Sequence, residues 1–367
     1  MKYKGDRTTS SFRSRNWLPR QIRSTELPTI SDPLAFLLQL SHITTAIMAF
    51  TVYLILAAGL AFSLTASARR LPPGSWDSHI HIIDPEGFPL DPDRDYTPKA
   101  ASIANATDFE TSLGVDHACI VLPSVYGTNN SILIDALRRF NGSYRGVAVI
   151  DPDNITNTTL STFQEAGVRG LRVNLDSQNS TEVSKMVHKN TAVAKQMDWV
   201  LQLYTPLSSL VYLHDYIVDS GVTFAFDHFG HTLVGSKTNV SMNTYDPYRT
   251  PGFRELIDLV QKKIMFVKIS GPYRDSNQAP LYEDMRVVAE TLINAGPDMV
   301  VYGSDWPHTK SKEGNDPIGG RLKEQDFQDI NDAALVEITK DWAGSDAQIQ
   351  RLFVDNPRRL WQWYEDS

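Results

Sequence analysis

Two histidines separated by one residue, His79 and His81, lie in the stretch WDSHIHIID at residues 76–84. Side chains alternate across a β-strand, so both imidazoles face the same side, while Ile80 and Ile82 face the other. A buried strand with two imidazoles on its inner face must provide partners for them. The pattern therefore indicates a chemical pair rather than two ordinary strand residues.

Further residues that could do chemistry lie at or just beyond the carboxyl ends of the later strand-like segments. They include a carboxylate, another imidazole, two guanidiniums and an ammonium, and they are Arg172, Asn174, Tyr204, His228, Lys268, Ser270, Arg274 and Asp305. An H-x-H pair alone is a weak signal, but the same pair with His228 and Asp305 is a strong one. Such a set could activate water, stabilise an oxyanion and bind carboxylates.

Eight strand-like segments alternate with helix-like ones from Leu71 onward. The strands are predicted at 76–83, 117–122, 145–150, 168–174, 199–204, 222–228, 264–270 and 299–304, with helices among them at 131–140, 181–197, 206–219, 252–262 and 281–295. Short buried strands alternating with helices predict a parallel sheet. Eight such units predict a (β/α)8 TIM-like barrel, with a doubly wound open sheet as the alternative. In a barrel, the carboxyl ends of the strands would bring the candidate residues together.

Several stretches, in order along nearly all of residues 71–364, resemble the amidohydrolase superfamily. More closely, they resemble the amidohydrolase-related branch that contains 2-pyrone-4,6-dicarboxylate lactonase. The stretches are DSHIHIIDP (77–85), RDYTPKAA (94–101), LPSVYGTNNSILIDALRR (122–139), GVRGLRVN (167–174), FDHFGH (226–231), SGPYR (270–274), YGSDWPH (302–308) and VDNPRRLW (354–361). The resemblance implies a distorted amidohydrolase barrel that hydrolyses a small, carboxylated lactone.

The resemblance also implies roles for individual residues. Asp305 would be the base that activates water, and His79, His81 and His228 would polarise the lactone carbonyl and stabilise the oxyanion. Substrate-binding positions would be Arg172 and Arg274, which hold carboxylates, together with Tyr204, Tyr96, Thr97, Ser124 and Tyr126. Lys268 is grouped with them as a residue that orients Asp305 or balances its charge.

One departure concerns the loop LDSQNS (175–180), which has no Lys or Arg where the lactonase has a further basic residue. This difference points to a substrate with one carboxylate or a different polar group, unless Arg249 in the insertion 233–251 substitutes.

The same four residues also describe a metal site. His79, His81, His228 and Asp305 could ligate one Zn or Mn ion. The resembling lactonase works without a divalent metal, and Arg172 beside the site would repel one, so no cofactor is expected. Two alternative functions stay open: a metal-dependent decarboxylase or hydrolase of an aromatic-derived acid on the same barrel, and a non-catalytic glycosylated binding protein.

The N-terminal part differs in composition from the barrel domain, which is predicted at 71–367. Residues 1–33 form a basic tail predicted to be disordered, and residues 34–68 contain no Asp, Glu, Lys or Arg. The second segment is long enough to be a transmembrane or signal-like helix, and the basic residues before it would leave the N-terminus cytosolic. It would attach the protein to a membrane if uncleaved. The net charge of −8 argues against a nucleic-acid partner.

Glycosylation acceptor sequences follow the hydrophobic segment. The Asn-X-Ser/Thr pattern occurs at Asn105, Asn129, Asn141, Asn154, Asn157, Asn179 and Asn239. Together with the hydrophobic segment, they predict a membrane-anchored or secreted glycoprotein of the secretory pathway. The alternative is an intracellular soluble enzyme whose mature form lacks the N-terminal segment.

Overall fold

A computed structural model describes residues 71–175, 177–238 and 240–364 of the chain. The predicted tail and the predicted hydrophobic helix therefore lie outside the described residues. Among the helices that are described, none has the length and apolar character needed to cross a membrane.

Eight parallel strands form one sheet in which neighbours in sequence are also neighbours in space. The strands are β1 (Trp76–Ile80), β2 (His117–Val121), β3 (Arg145–Ala148), β4 (Val168–Asn174), β5 (Val200–Tyr204), β6 (Phe224–Phe226), β7 (Met265–Ser270) and β8 (Val300–Gly303). All eight predicted strands are confirmed. The predicted strand at 222–228 is too long, because the chain leaves the extended conformation at His228, where φ is 46°.

Contacts between β8 and β1 bring the first and last strands together. The Asp305 amide donates to the His79 carbonyl at 2.9 Å, and the His81 amide donates to the Trp306 carbonyl at 2.9 Å. The buried Asp77 carboxylate accepts backbone N–H groups from both sides of this junction, those of His79 at 2.9 Å and Ser304 at 3.0 Å. The sheet is therefore a nearly closed (β/α)8 barrel rather than an open doubly wound sheet.

One main helix follows each strand and packs on the outside of the barrel. These helices are α1 (Ile103–Leu113), α2 (Ser131–Arg139), α3 (Asn157–Ala166), α4 (Ser180–Met197), α5 (Leu210–Ser220), α6 (Phe253–Gln261), α7 (Arg286–Ala295) and α8 (Asp332–Ala343). Side chains of Ser102, Thr156 and Asn179 cap the amino ends of α1, α3 and α4. Shorter helical segments are His228–His231, Gly235–Thr238, Asp346–Gln350, Arg351–Asp355 and Asn356–Leu360.

The core lies between the strands and the helices and continues into the barrel interior. The strands are buried on both faces, as parallel barrel strands must be. The C-terminal VDNPRRLW stretch supports this core: the Asn356 side-chain amide donates to the Val300 carbonyl at 2.8 Å, and Trp361 Nε1 donates to Ser78 Oγ at 3.1 Å. This stretch therefore packs structurally.

Candidate active site

A cavity of about 290 Å³ opens at the carboxyl ends of the strands. Eight of the residues singled out from the sequence line it: His81, Tyr96, Ser124, Arg172, Asn174, Tyr204, His228 and Arg274. Sequence reasoning assigned no site role to five further lining residues, Asp95, Thr309, Ser311, Lys312 and Glu313. The last four follow the SDWPH stretch directly, and this proximity was the only available signal for them.

Three imidazoles converge on one oxygen of Asp305 behind this cavity. Asp305 Oδ1 lies 3.7 Å from His79 Nε2, 3.5 Å from His81 Nε2 and 4.0 Å from His228 Nε2. Within the described part of the chain, neither Asp305 Oδ1 nor His79 Nε2 has a hydrogen-bond partner, although both are buried. A reacting group placed among these atoms would complete the hydrogen bonds that the protein leaves open.

The other oxygen of Asp305 is held firmly. Asp305 Oδ2 accepts the Tyr273 hydroxyl at 2.7 Å and the Arg274 Nε–H at 2.6 Å. Burial alone would raise the pKa of Asp305, but the Arg274 guanidinium together with the three surrounding imidazoles holds the pKa well below its ordinary value. Asp305 is therefore a carboxylate with one anchored oxygen and one open oxygen.

A second buried carboxylate, Asp227, contacts the His79 ring at Nδ1, on the side opposite to Asp305. Its Oδ1 lies 3.3 Å from His79 Nδ1 and 3.4 Å from Lys268 Nζ, and its Oδ2 accepts Arg172 at 3.1 Å and Gln202 at 2.9 Å. Burial would raise the pKa of Asp227, but Lys268, together with His79 and Arg172, holds it well below its ordinary value. Asp227 is therefore the counterion that the buried Lys268 and Arg172 share.

The two deepest imidazoles are uncharged at neutral pH. Burial, with the nearby Lys268 ammonium, lowers the pKa of His79 to about 3. Burial also lowers the pKa of His228 well below its ordinary value, although Asp305 opposes that shift. Both rings therefore act as neutral donors or acceptors rather than as cations.

A tight turn after β6 positions His228. His228, Phe229 and His231 have φ values of 46°, 51° and 52°, which are costly for residues with a Cβ. His228 Nδ1 lies 2.9 Å from Ser270 Oγ, which fixes the ring. Gly271 follows, and a Cβ there would lie 3.0 Å from Asp305 Oδ2 and 3.1 Å from His228 Nδ1. The glycine in SGPYR is thus a site residue that sequence reasoning did not identify.

Three predicted substrate-binding residues lie away from the cavity wall. Thr97 Oγ1 accepts Arg94 Nε at 2.8 Å and donates to the Arg321 carbonyl at 2.8 Å. The Tyr126 hydroxyl accepts the Asp84 amide at 2.9 Å. Lys268 is fully buried and donates to Gln202 Oε1 at 2.7 Å, so it balances Asp227 rather than Asp305.

Two groups of side chains could each hold a metal ion: His79 with Asp227 and His228, and His79 with His81 and Asp305. The second group fits a cation well, because His81 Nδ1 must donate to the Val121 carbonyl at 2.7 Å, which leaves the Nε2 of the neutral ring without a proton. This nitrogen and Asp305 Oδ1 are then two acceptors facing each other. A divalent ion between them would satisfy both, and so would a water or substrate hydrogen.

The buried charge balance generates a stability prediction. Replacing Asp227 with Asn would leave Lys268 and Arg172 buried without their counterion, so we expect the free energy of unfolding at pH 7 to fall by about 3–5 kcal/mol. Urea denaturation measures this change. The folded-state pKa of Asp227 is lower than its pKa in the unfolded chain, so the ionised carboxylate stabilises the fold above the unfolded-state pKa. The difference in the free energy of unfolding between wild type and Asp227→Asn should therefore shrink below about pH 4.

The matched control for this prediction is Asp258→Asn. Asp258 pairs with Lys262 and His214 at the exposed surface, and its loss should cost less than about 1 kcal/mol. Equal destabilisation by the two substitutions would contradict the assignment of Asp227 as the buried counterion.

Comparisons with known proteins find relatives that match most of the chain. The chain is 29% identical over 297 residues to a 4-sulfomuconolactone hydrolase from Hydrogenophaga intermedia, covering 79% of this chain and 89% of the relative. It is 27% identical over 303 residues to a 2-pyrone-4,6-dicarboxylate hydrolase from Comamonas testosteroni, covering 81% and 92%.

A solved structure of an Agrobacterium tumefaciens protein shares the fold, with a TM-score of 0.65 at 20% identity, over 80% of this chain and 98% of that one. A family model described as Amidohydrolase matches residues 76–363, which is most of the chain. The chain therefore belongs to the amidohydrolase family.

Proposed function

We propose that this protein is a hydrolase that opens a small carboxylated lactone with water. The observation that carries the proposal is the convergence of three imidazoles on the open oxygen of Asp305, beside a cavity with two guanidiniums in its wall. The two relatives reported above are named as hydrolases of a sulfomuconolactone and of a pyrone dicarboxylate, which supports the same reaction class.

Asp305 is the proposed base. Its Oδ2 is occupied by Tyr273 and Arg274, so its Oδ1 is the oxygen that can accept a proton from water. A carboxylate with a depressed pKa is ionised at neutral pH but is a weak base. Asp305 can therefore take the proton only as the water attacks. The pKa of the water falls as its oxygen bonds to the lactone carbonyl carbon and is lowered further by the positive charge nearby.

A donor for the oxyanion comes from the imidazole of His228. Ser270 can donate to His228 Nδ1 at 2.9 Å, whereas His79 Nδ1 lies beside both Lys268 Nζ and Asp227 Oδ1, each at 3.3 Å. With Ser270 as donor, the neutral His228 ring presents an Nε2–H toward Asp305, where a carbonyl oxygen could accept it. A neutral imidazole held in this way stabilises developing negative charge without protonating Asp305.

Arg172 and Arg274 are the proposed carboxylate-binding groups. Arg172 uses one nitrogen on Asp227, and its Nε is buried without a partner in the described residues. Arg274 uses Nε on Asp305, and its terminal NH1 contacts Ser311. Asp95 and Glu313 add negative charge to the cavity wall, and Lys312 adds positive charge. Because the loop at 175–180 lacks a further basic residue, we infer a substrate with one carboxylate or a different polar group.

The proposed function predicts turnover of a lactone. The full chain should open a member of a panel of mono- and dicarboxylated pyrones and lactones, followed by ultraviolet absorbance. Asp305→Asn keeps the shape but removes the base, so kcat should fall by about 100-fold or more.

Asp135→Asn, on the outer helix α2, is the matched control and should turn over like wild type. If Asp305→Asn hydrolysed the same lactone at the wild-type rate, the proposed base would be wrong. Failure of the wild type on the whole panel would favour the non-catalytic binding protein.

The second candidate function is a metal-dependent decarboxylase or hydrolase of an aromatic-derived acid. The observation that favours it is the group formed by His79, His81 and Asp305, with His228 Nε2 nearby. In this case each Nδ1 would carry the proton and each Nε2 would be a ligand. A bound divalent ion would supply Lewis-acid polarisation of a carbonyl and lower the pKa of bound water.

Metal removal separates the two candidates. We expect the chelator-stripped protein to retain lactone turnover, because Arg274, Arg172 and Lys268 already supply positive charge around the two buried carboxylates. The measurement is kcat beside metal content before and after stripping. Activity that is lost on stripping and restored by Zn or Mn would establish the metal-dependent candidate instead.

We also propose that the chain enters the secretory pathway and is glycosylated. Asn105, Asn129, Asn141, Asn154, Asn157 and Asn179 are all exposed, so an oligosaccharide could be accommodated at each. Asn239 lies outside the described residues. The predicted helix at 34–68 would provide the anchor or signal.

Endoglycosidase treatment of native material tests this proposal. We expect a faster-migrating band on a denaturing gel after treatment, and a smaller shift when Asn105 and Asn141 are replaced with Gln. An unchanged band in native material would instead favour the intracellular form without the N-terminal segment.

A further inference from the structure

A chain of buried polar groups leads from Asp305 away from the cavity. The Tyr273 hydroxyl donates to Asp305 Oδ2 at 2.7 Å and lies 3.2 Å from His308 Nδ1. His308 Nε2 lies 2.9 Å from Asp332 Oδ2. Asp305, Tyr273, His308 and Asp332 are all buried, so these contacts are made without competition from bulk water.

Three separate parts of the fold supply these groups. Tyr273 lies in the turn Pro272–Arg274 after β7, and Asp332 is the first residue of α8. His308 follows Asp305 by three residues, and its backbone carbonyl accepts the Gln328 amide at 2.9 Å. Because the chain of contacts crosses elements that are distant in sequence, local sequence preference does not account for it.

The function of this chain follows from the two anchors of Asp305. A carboxylate can rotate about its terminal bond, so Oδ1 faces the imidazoles only while Oδ2 is held. Arg274 is one anchor, but it lines the cavity and is also a proposed ligand of the substrate carboxylate. Tyr273 is the anchor that faces away from the substrate.

Tyr273 has one hydroxyl proton and two neighbours that could accept it. It donates to Asp305 when His308 Nδ1 carries a proton and donates to the tyrosine oxygen. Asp332 can accept a hydrogen bond from Nε2 on the other side of the ring, and His308 makes both contacts at once when each ring nitrogen carries a hydrogen. We propose that Tyr273, His308 and Asp332 are positioning residues that keep Asp305 Oδ1 directed at the reacting water. This inference rests on the proposed lactone hydrolysis.

Two substitutions at His308 separate this role from simple packing. The amide nitrogen of Asn can occupy the place of Nδ1 and contact Tyr273, whereas that of Gln can occupy the place of Nε2 and contact Asp332. His308→Asn should therefore keep kcat within about 3-fold of wild type, and His308→Gln should lower it about 10-fold. If His308 served only in packing, the kcat values of the two variants would follow their unfolding temperatures, and the less stable variant would have the lower kcat.

Tyr273→Phe removes the anchor itself. In the full chain, we expect kcat to fall about 10- to 100-fold with KM within about 2-fold, because a hydrogen bond to a charged group is lost but the substrate contacts stay. Tyr302→Phe is the matched control: the Tyr302 hydroxyl is also buried but has no hydrogen-bond partner among the described residues. Its removal should leave kcat unchanged.

Crystal structures of Tyr273→Phe and the wild type provide a readout that does not depend on turnover. The proposal predicts that the Asp305 carboxylate rotates away from the three imidazoles in the variant. An unrotated carboxylate, or equal kcat for Tyr273→Phe and Tyr302→Phe, would overturn it. If the wild type opens no lactone, the proposed function fails, and the carboxylate rotation still decides the positioning role.

Discussion

Two carboxylates without solvent contact, Asp227 and Asp305, determine how the interior of this barrel is arranged. A buried carboxylate is tolerated only when cations and donors compensate for its lost hydration. Asp227 has Lys268, Arg172 and Gln202, and Asp305 has Arg274 and Tyr273. These pairs occupy nearly all the carboxylate oxygens and leave Asp305 Oδ1 open, which is the position where the proposed chemistry occurs.

The barrel makes this arrangement possible because its strands end at one face. Asp305 belongs to the closure as well as to the site, since its amide donates to the His79 carbonyl while its side chain faces the His79 ring. The residue that helps to join the last strand to the first is thereby held at a fixed distance from the H-x-H pair. Stability of the closure and geometry of the site are therefore coupled, and a substitution that loosens one should disturb the other.

Much of the fold was predictable because buried parallel strands have a strong sequence pattern. The eight strands followed from short apolar segments between helices, and the inward direction of His79 and His81 followed from strand periodicity. The tertiary contacts were not predictable in the same way. Lys268 pairs with Asp227, although Asp305 was an equally plausible partner from the sequence, and Thr97 and Tyr126 support loops outside the cavity. Gly271 illustrates the reason. A glycine is needed there because Asp305 and His228 lie close to it in space, and the residues next to Gly271 in the sequence do not reveal that proximity.

Isotope incorporation tests the central claim most directly, because the position of the label in the product shows which carbon atom the water oxygen attacked. The full chain would open its lactone substrate in ¹⁸O-labelled water, and mass spectrometry would locate the label in the product after a single turnover. Attack of an Asp305-activated water on the carbonyl places one ¹⁸O in the new carboxylate. Label in the released hydroxyl or enol oxygen, or transfer of an unlabelled oxygen from Asp305 itself, would contradict the account.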